Sequence, residues 1–218
     1  SRDRKQYSQT FSRGLATSGL IDLGPVQNRR GTKVTFLPDS EIFGDKARLR
    51  PSKLYKMVRS KAYLFRGVEI RWKCEDGVIP EGESTPQEAT LHFPGGLADY
   101  LSATLLKRTC VSEEPFASYV KFPDGQGQVE WAVAWPEFGD GFSSSYCNTI
   151  PTPLGGTHEA GLRAALSKGI KAYGELTNNK KAAQITSDDI FGSCCAMLSV
   201  FIREPQFQGQ TKDKLSTL

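Results

Sequence analysis

The residues best suited to chemistry lie near the end of the chain, where Gln210, Thr211 and Lys212 follow Gly209. They place an amide, a hydroxyl and an ammonium in three consecutive residues. Pro205 lacks the N–H needed for strand pairing, and Gly209 tolerates backbone conformations closed to other residues, so the stretch is predicted to be an exposed loop. An ammonium on such a loop could contact a phosphate, although the same triplet also suits an ordinary solvated loop.

A second candidate is the segment 48–66, which contains seven basic residues and no acidic one. The seven are Arg48, Arg50, Lys53, Lys56, Arg59, Lys61 and Arg66. Such a run suits contact with a polyanion, and it equally suits the solvated face of a helix. A third candidate is Gly155-Gly-Thr157, which precedes a predicted helix. Its N–H groups could bind an anion or simply turn the chain and cap the helix.

Several function classes find no support in the 218 residues. No P-loop, dinucleotide fingerprint, nucleophile elbow or HExxH motif occurs. Only two histidines, His92 and His158, are present, and the five cysteines form no CxxC pair, so no metal site is expected. The cysteines are typical of reduced thiols in a cytoplasmic protein. No apolar run reaches about 18 residues, and the charged N-terminus does not resemble a signal peptide.

Composition is that of a soluble globular protein, with 38% hydrophobic residues, 24% charged residues and a net charge of +4. Before Pro51, alternation at Gln6–Phe11 and Gly31–Phe36 predicts strands, separated by a turn at residues 12–14. Two or three strands cannot bury both faces of a sheet, so we expect them to belong to a larger domain that begins upstream of Ser1. Residues 39–50 are predicted to be a charged linker.

From Pro51 the apolar spacing predicts a helix that ends at Gly67, with Ser52 as its N-cap. The predicted apolar stripe of this helix consists of Leu54, Met57, Val58, Ala62 and Phe65. Strands are predicted at 68–72 and 89–93, on either side of a turn-rich acidic loop at 75–86. Another helix is predicted from Leu97.

Further strands are predicted at 116–122, 129–135 and 143–150. In the second of these, Trp131, Val133 and Trp135 share one face, and Glu130, Ala132 and Ala134 share the other. The spacing after Thr157 predicts an amphipathic helix. Its buried stripe is expected to comprise Leu162, Ala165, Leu166, Ile170 and Tyr173, with Arg163 at the border and Lys168 and Lys171 on the polar side. A short helix from Ser187 and a strand at 195–203 then deliver the Lys212 loop, which gives an α+β domain.

Three ordered motifs resemble one family. They are Gly31-Thr-Lys-Val-Thr-Phe-Leu-Pro-Asp39, Ile150-Pro-Thr-Pro-Leu-Gly-Gly-Thr-His-Glu-Ala-Gly-Leu-Arg163 and Pro205-Gln-Phe-Gln-Gly-Gln-Thr-Lys-Asp-Lys-Leu215. They are similar to the B-type subunits of bacterial type IIA DNA topoisomerases, which are the B subunits of DNA gyrase and of topoisomerase IV. The stretches Ile150-Pro-Thr, Val129-Glu-Trp and Gly96-Leu-Ala-Asp-Tyr-Leu101 favour the topoisomerase IV type.

The resemblance implies a division of the chain. Residues 1–45 are expected to be the last strands of an ATPase domain of the GHKL type (gyrase, Hsp90, histidine kinase, MutL). Residues 46–218 are expected to form a two-layer transducer domain with the ribosomal protein S5 domain 2-like fold, which in the family contains a left-handed βαβ crossover.

The resemblance also implies site residues. Lys212 matches the family lysine that contacts the γ-phosphate of ATP, and Gln210 matches its amide neighbour. Arg163 matches an arginine that faces the cavity through which double-stranded DNA passes, and Lys168 and Lys171 are assigned to the same DNA contact. The implied cofactors are ATP and Mg²⁺. The implied protein partners are the A subunit of topoisomerase IV (or of gyrase) and a second B subunit, the latter joined through the ATPase domain.

Other family elements are missing from the chain. The water-activating glutamate, the Mg²⁺-binding asparagine, the Asp-x-Gly-x-Gly segment and the glycine-rich lid do not occur, and a Toprim domain would follow Leu218. By itself the chain is therefore expected neither to hydrolyse ATP nor to cut DNA. The alternative outside the family is an S5-like nucleic-acid-binding module with no nucleotide role, which would have no reason to end on a Gln-Thr-Lys loop.

Overall fold

The computed structural model describes residues 3–28, 30–44, 47–106, 108–123 and 125–217. Internal contacts divide the chain into two compact units, residues 1–50 and residues 51–218. None of the helices in the described part of the chain is long and apolar enough to cross a membrane.

The described residues of the first unit form four short strands and one turn of helix. Strand β1 (Lys5–Ser8) pairs antiparallel with β4 (Ile21–Pro25), and β2 (Phe11–Ser12) pairs antiparallel with β3 (Leu15–Ala16). Arg13 and Gly14, with φ of 51° and 81°, form the turn predicted at residues 12–14, which joins β2 to β3. None of this unit's described residues is buried, as expected for two-stranded sheets that have no covering layer.

Two predictions for this unit are wrong. The alternating stretch 31–36 forms no strand, and its side chains Val34 and Phe36 are 77% and 69% exposed. Alternation produces a strand only where a neighbouring strand and a covering layer are available. The supposed linker contains helix α1 (Ser40–Phe43), which Asp39 caps by accepting a hydrogen bond from the Glu41 N–H at 2.9 Å. This local bond favours a helical turn over extended chain.

The second unit is built on a five-stranded mixed sheet. Its elements are α2 (Pro51–Leu64), β5 (Glu69–Lys73), β6 (Glu88–His92), α3 (Leu97–Leu105), β7 (Phe116–Lys121), β8 (Gly127–Ala134), β9 (Phe142–Cys147), β10 (Ile150–Pro151), α4 (Thr157–Leu176), a 3₁₀ helix (Lys180–Gln184), α5 (Ser187–Phe191) and β11 (Cys195–Ile202). Strands β5 and β6 form a separate hairpin, and the main sheet has the order β10-β9-β11-β8-β7. Strand β11 runs antiparallel to β8 and parallel to β9. The predicted α+β class is confirmed.

Strand β8 has the two faces that its alternation predicts. Ala132 and Ala134 pack against Leu97 and Leu101 of α3, whereas Val133 packs against Leu166 of α4. Both faces of the strand are apolar, so both need cover. Helices therefore lie on each side of the sheet, which adds a layer to the two-layer arrangement expected from the sequence.

Glu130 is the exception on the α3 face of β8, because it is charged and only 5% exposed. Its carboxylate accepts hydrogen bonds from Arg66 Nε at 3.0 Å and from the Leu97 N–H at 2.7 Å. The second bond satisfies one of the free N–H groups at the start of α3, where Gly96 supplies no side-chain cap. Glu130 thus fixes α2 and α3 to the sheet.

Helix α2 begins at Pro51, two residues earlier than an N-cap at Ser52 predicts. Proline fits the first helical position because its missing N–H would have had no helical partner there, so Ser52 lies inside the helix and is not the N-cap. Met57 and Phe65 of the predicted stripe are 50% and 43% exposed. The helix is instead fixed by Tyr63, whose ring stacks on those of Phe93 and Tyr100 at centroid distances of 3.6 and 4.3 Å.

The predicted strand 143–150 is also wrong, because it is two strands. Asn148 and Thr149 adopt φ of 49° and 66° and turn β9 into β10, which pairs antiparallel with it. Two consecutive residues with positive φ are typical of a two-residue hairpin turn.

We expect Glu130→Ala to lower the free energy of unfolding by about 1–3 kcal/mol, because two N–H donors lose a buried acceptor. Urea unfolding followed by tryptophan fluorescence measures the change. The matched control is Glu88→Ala, which breaks the exposed ion pair to Lys73 at 2.5 Å. Such exposed pairs contribute little to stability, so a loss in Glu130→Ala no larger than that of the control would contradict the assigned role.

Candidate functional site

The Lys212 loop is the end of a small hairpin that follows β11. Residues 206–208 pair with 214–216 through bonds from the Gln208 N–H to the Lys214 carbonyl and from the Ser216 N–H to the Gln206 carbonyl, both at 2.8 Å. The Gln206 N–H also donates to Thr217 Oγ1 at 2.7 Å. These bonds leave residues 209–213 as the tip, which confirms the exposed loop predicted there.

At the tip, Gln210, Thr211 and Lys212 are exposed. Gly209 has φ of 85°, and Lys212 itself has φ of 61°, a conformation that is uncommon for a residue with a Cβ. The Lys212 ammonium lies 6.0 Å from the centroid of the Phe207 ring, and no ion pair joins it to another residue of the described chain. The tip therefore presents a positive charge that is open to an anionic ligand.

Leu215 anchors the hairpin to the domain. It is only 2% exposed and packs with Cys147 and Val200 of the sheet. Its neighbours bind the segment before α4. The Leu154 N–H donates to the Asp213 carbonyl at 2.9 Å, the Leu215 N–H to the Gly155 carbonyl at 3.0 Å, and the Thr157 N–H to the Leu215 carbonyl at 3.1 Å. The loop and the start of α4 are thus one hydrogen-bonded unit.

Gly155 and Thr157 therefore have partners within the fold, because both are hydrogen-bonded to Leu215. The Thr157 N–H, which could have faced an anion, is bound to the loop, and the Thr157 hydroxyl donates to the Thr217 carbonyl. A Cβ on Gly156 would lie 2.2 Å from the Leu215 carbonyl oxygen, so only glycine permits this approach. The contacts support the alternative in which these residues turn the chain, and the Leu215 carbonyl provides the cap of the helix.

Helix α4 presents the predicted DNA-contacting residues at different angles. Lys168 and Lys171 are exposed. The Arg163 side chain is 47% exposed, and its guanidinium lies 3.6 Å from Glu159 Oε1 and 4.7 Å from the centroid of the Phe191 ring. At about 100° per residue, Lys171 lies between Arg163 and Lys168, which are about 140° apart. The three cations span a broad outer surface of the helix.

The apolar stripe predicted for α4 is buried only in part, which corrects the prediction. Leu166 is buried, whereas Ala165 is exposed and Tyr173 is 69% exposed. The stripe faces an apolar groove of about 880 Å³ between α4 and the sheet, lined also by Trp131, Trp135 and Leu198. The helix contacts the sheet near its N-terminal half, and its remaining apolar side chains border the groove.

A chain of polar side chains lies beneath the start of α4. Ser145 Oγ is 2.7 Å from Thr152 Oγ1, which is 3.1 Å from His158 Nε2. Ser145 Oγ also lies 3.5 Å from Glu159 Oε2. His158 Nδ1 is buried and has no hydrogen-bond partner. Burial therefore lowers the pKa of His158 below its usual value of 6.5, against the smaller opposing effect of Glu159.

The basic segment 48–66 is partly used by the fold. Lys61 Nζ donates to the Thr149 carbonyl at 2.6 Å and approaches its hydroxyl at 2.7 Å, and Arg66 binds Glu130. Lys53 and Lys56 are exposed. Arg59 donates to Tyr63 Oη at 3.4 Å. Three of the seven residues therefore have contacts within the fold, and contact of the others with a polyanion stays a prediction.

The cysteines do not form a chemical site. All five are free, and burial raises the pKa of the Cys147 and Cys194 thiols to about 11, which keeps them protonated near neutral pH. Within the described residues, no group of three or more His, Cys, Asp or Glu side chains is placed to hold a metal ion.

The fold and the site define a class of protein: an α+β domain in which a lysine-bearing loop is bonded to a basic helix. Comparison with protein families then gives the assignment. The family model of DNA gyrase B matches residues 96–218, more than half of the chain. The chain belongs to the DNA gyrase B family.

Individual relatives agree with this assignment. The B subunit of DNA topoisomerase 4 from Bartonella bacilliformis is 54% identical over 216 residues, which cover 99% of this chain and 31% of that protein. The chain thus spans about a third of the length of the curated relatives that it matches. The resemblance to bacterial type IIA topoisomerase B subunits is confirmed.

Solved structures support the same fold. The 43K ATPase domain of Thermus thermophilus gyrase B, in complex with an aminocoumarin, has a TM-score of 0.79 and 30% identity, covering 99% of this chain and 56% of its own. The topoisomerase IV ATP-binding domain of Francisella tularensis, in complex with a small-molecule inhibitor, has a TM-score of 0.74 and 32% identity with the same coverage.

Sequence reasoning missed the contact between the loop and the start of α4. Leu215 was visible only as a single apolar residue after a polar loop, and Gly155-Gly156 only as a turn. It also missed the stacking of Arg163 on Phe191, since the two residues lie on different helices. The pair of glycines next to a threonine was the one available indication that another backbone approaches there.

We expect the stability of the chain to fall as the pH drops through about 6.5. The unfolded His158 binds a proton near its usual pKa, whereas the folded residue has a lowered pKa and resists protonation, so the stabilising effect is complete above that range and is lost below it. Melting temperatures at about pH 7.5 and about pH 5.5 should differ less for His158→Gln than for the unaltered chain. The control is His92→Gln, which changes an exposed histidine. If both variants reduce the difference in melting temperature between the two pH values equally, the effect does not come from His158.

Proposed function

We propose that this chain is part of the B subunit of a bacterial topoisomerase IV, an ATP-dependent type IIA DNA topoisomerase. Within it, the chain couples ATP binding and hydrolysis to closure of the DNA gate during strand passage. The observation that carries the proposal is the exposed Lys212 ammonium on a hairpin tip whose base is bonded to helix α4. The names of the curated relatives favour topoisomerase IV.

In this proposal, residues 1–45 are the end of the ATPase domain and residues 46–218 are the transducer domain. The division of the chain near residue 50 and the match to two ATPase-domain structures over almost the whole chain support it. The gyrase B subunit is the alternative within the family, and the A subunit would decide between supercoiling and decatenation. The enzyme would act in the bacterial cytoplasm on the nucleoid.

Lys212 and Gln210 fit the terminal phosphate of ATP. An ammonium and an amide on one exposed turn can both donate to phosphate oxygens, and Lys212 has no carboxylate bonded to it among the described residues. ATP supplies a γ-phosphate whose charge is present before hydrolysis and leaves as phosphate afterwards. Lys212 would stabilise that charge and so distinguish the two states. None of the described residues is proposed to bind Mg²⁺.

Arg163, Lys168 and Lys171 would contact the backbone of double-stranded DNA. Contacts of cations with phosphates position a duplex without distinguishing its sequence, as strand passage requires. The broad spread of the three side chains around α4 suits a cavity surface better than a narrow groove. The protein partners would be the A subunit and a second B subunit, the latter joined through the ATPase domain.

We expect Lys212→Ala, introduced into the full-length B subunit, to lower kcat for ATP hydrolysis by about 10²-fold or more, the usual loss when one donor to a developing charge is removed. Steady-state hydrolysis in the presence of DNA and the A-type partner protein measures it. Lys180→Ala removes an equal charge from an exposed residue away from the loop and should retain turnover. Normal turnover in Lys212→Ala would refute the sensor role.

We expect Arg163→Ala to weaken the stimulation of ATP hydrolysis by DNA. The slope of the logarithm of the DNA-binding constant against the logarithm of the salt concentration should fall in magnitude by about one, which corresponds to the loss of one phosphate contact. Because Arg163 also stacks on Phe191, Phe191→Leu is the matched control, which removes the ring and keeps the charge. If Phe191→Leu reproduces the full effect, Arg163 acts through packing and the DNA contact is wrong.

A further inference from the structure

We propose that Gly156 and Thr157 are positioning residues that transmit the position of the Lys212 loop to helix α4. Together with Leu215 and Thr217 they form a contact that we call the loop–helix clamp. This inference rests on the function proposed above and adds to it the physical connection between the nucleotide contact and the DNA contact.

The clamp consists mainly of backbone hydrogen bonds. The Leu215 N–H donates to the Gly155 carbonyl at 3.0 Å, and the Leu215 carbonyl accepts from the Thr157 N–H at 3.1 Å. Gly156 and Leu215 thereby form a parallel β-bridge. Outside the backbone, the Thr157 hydroxyl donates to the Thr217 carbonyl. A shift of Leu215 and Thr217 along the direction of their chain would break several of these bonds together.

The clamp also supplies the N-terminal cap of α4. The helix begins at Thr157, and no side chain caps it, since Gly156 has none to offer. The first N–H groups of a helix need external acceptors, and the Leu215 carbonyl is the acceptor for Thr157. The loop is therefore part of the end of the helix, so a displacement of the loop base displaces that end.

The packing is close at the clamp and open at the tip. Leu215 is 2% exposed within the sheet core, and the backbone of Gly156 lies so close to Leu215 that a Cβ would overlap it. At the tip, by contrast, a Cβ on Gly209 would meet nothing within 4 Å. The tip has space for a phosphate, whereas the base is hydrogen-bonded to the start of α4. Arg163 lies six residues beyond Thr157, about 9 Å along the helix.

Four variants of the full-length B subunit test the clamp. Gly156→Ala forces Leu215 away, Thr157→Val removes the hydroxyl with little change of shape, and Thr157→Ser restores a hydroxyl. Gly77→Ala is the matched control, because Gly77 also has positive φ, at 74°, but has open space around it in the β5–β6 loop. ATP hydrolysis with and without DNA, the KM for ATP, DNA affinity and melting temperature are measured for each.

We expect Gly156→Ala and Thr157→Val to reduce the stimulation of ATP hydrolysis by DNA at least about fivefold, the lower end of ordinary coupling between sites. In Thr157→Val, DNA-independent turnover, KM and DNA affinity should change less than about twofold, because the hydroxyl contacts neither ligand and the backbone bonds of the clamp remain. Thr157→Ser and Gly77→Ala should retain stimulation. If Gly156→Ala fails to fold, the comparison of Thr157→Val with Thr157→Ser decides.

Two results would overturn the clamp. Unchanged stimulation in folded Thr157→Val is one, and an equal loss of turnover with and without DNA is the other, since that indicates general damage. The Lys212→Ala and Arg163→Ala variants separate this failure from failure of the proposed function. If those two variants show their expected losses while the clamp variants behave normally, only the clamp is refuted.

Discussion

The rest of the second unit depends on the antiparallel pairing of β8 with β11, which runs without interruption from Cys195–Ala134 to Ile202–Gly127. Both strands are apolar on both faces, so water must be excluded from both sides of the sheet. Helix α3 covers one side and α4 the other. The same pairing fixes where β11 ends, and so where the Lys212 hairpin leaves the sheet and meets the start of α4.

The site that results differs from an enzyme active site with clustered acids and bases. Its charged groups, Lys212 on the loop and Arg163 on the helix, act on ligands outside the chain in the proposed function. What the fold contributes is the fixed relation between them, made by backbone bonds around Leu215. Backbone bonds suit this purpose, because they resist shear without requiring side chains that could compete for either ligand.

Much of this could be predicted from the sequence. Alternation correctly assigned Trp131 and Val133 to one face of β8 and Ala132 to the other, since side-chain period alone fixes the face. The exposed loop at Lys212 followed from Pro205 and Gly209. The strand predicted at 31–36 does not form, because the alternating residues have no partner strand among the described residues. The turn at Asn148–Thr149 was not predicted, because no glycine indicates it. The prediction also overstated burial along α4, because periodicity shows which face is apolar and not whether anything covers it.

By itself, the sequence determined the α+β class and the family, because these depend on local pattern and on motifs read along the chain. Only the tertiary structure decided that Glu130 joins Arg66 to the start of α3 and that Leu215 caps α4. Each of these contacts joins residues far apart in the sequence. Such contacts are set by how the elements pack, and neither composition nor spacing records that packing.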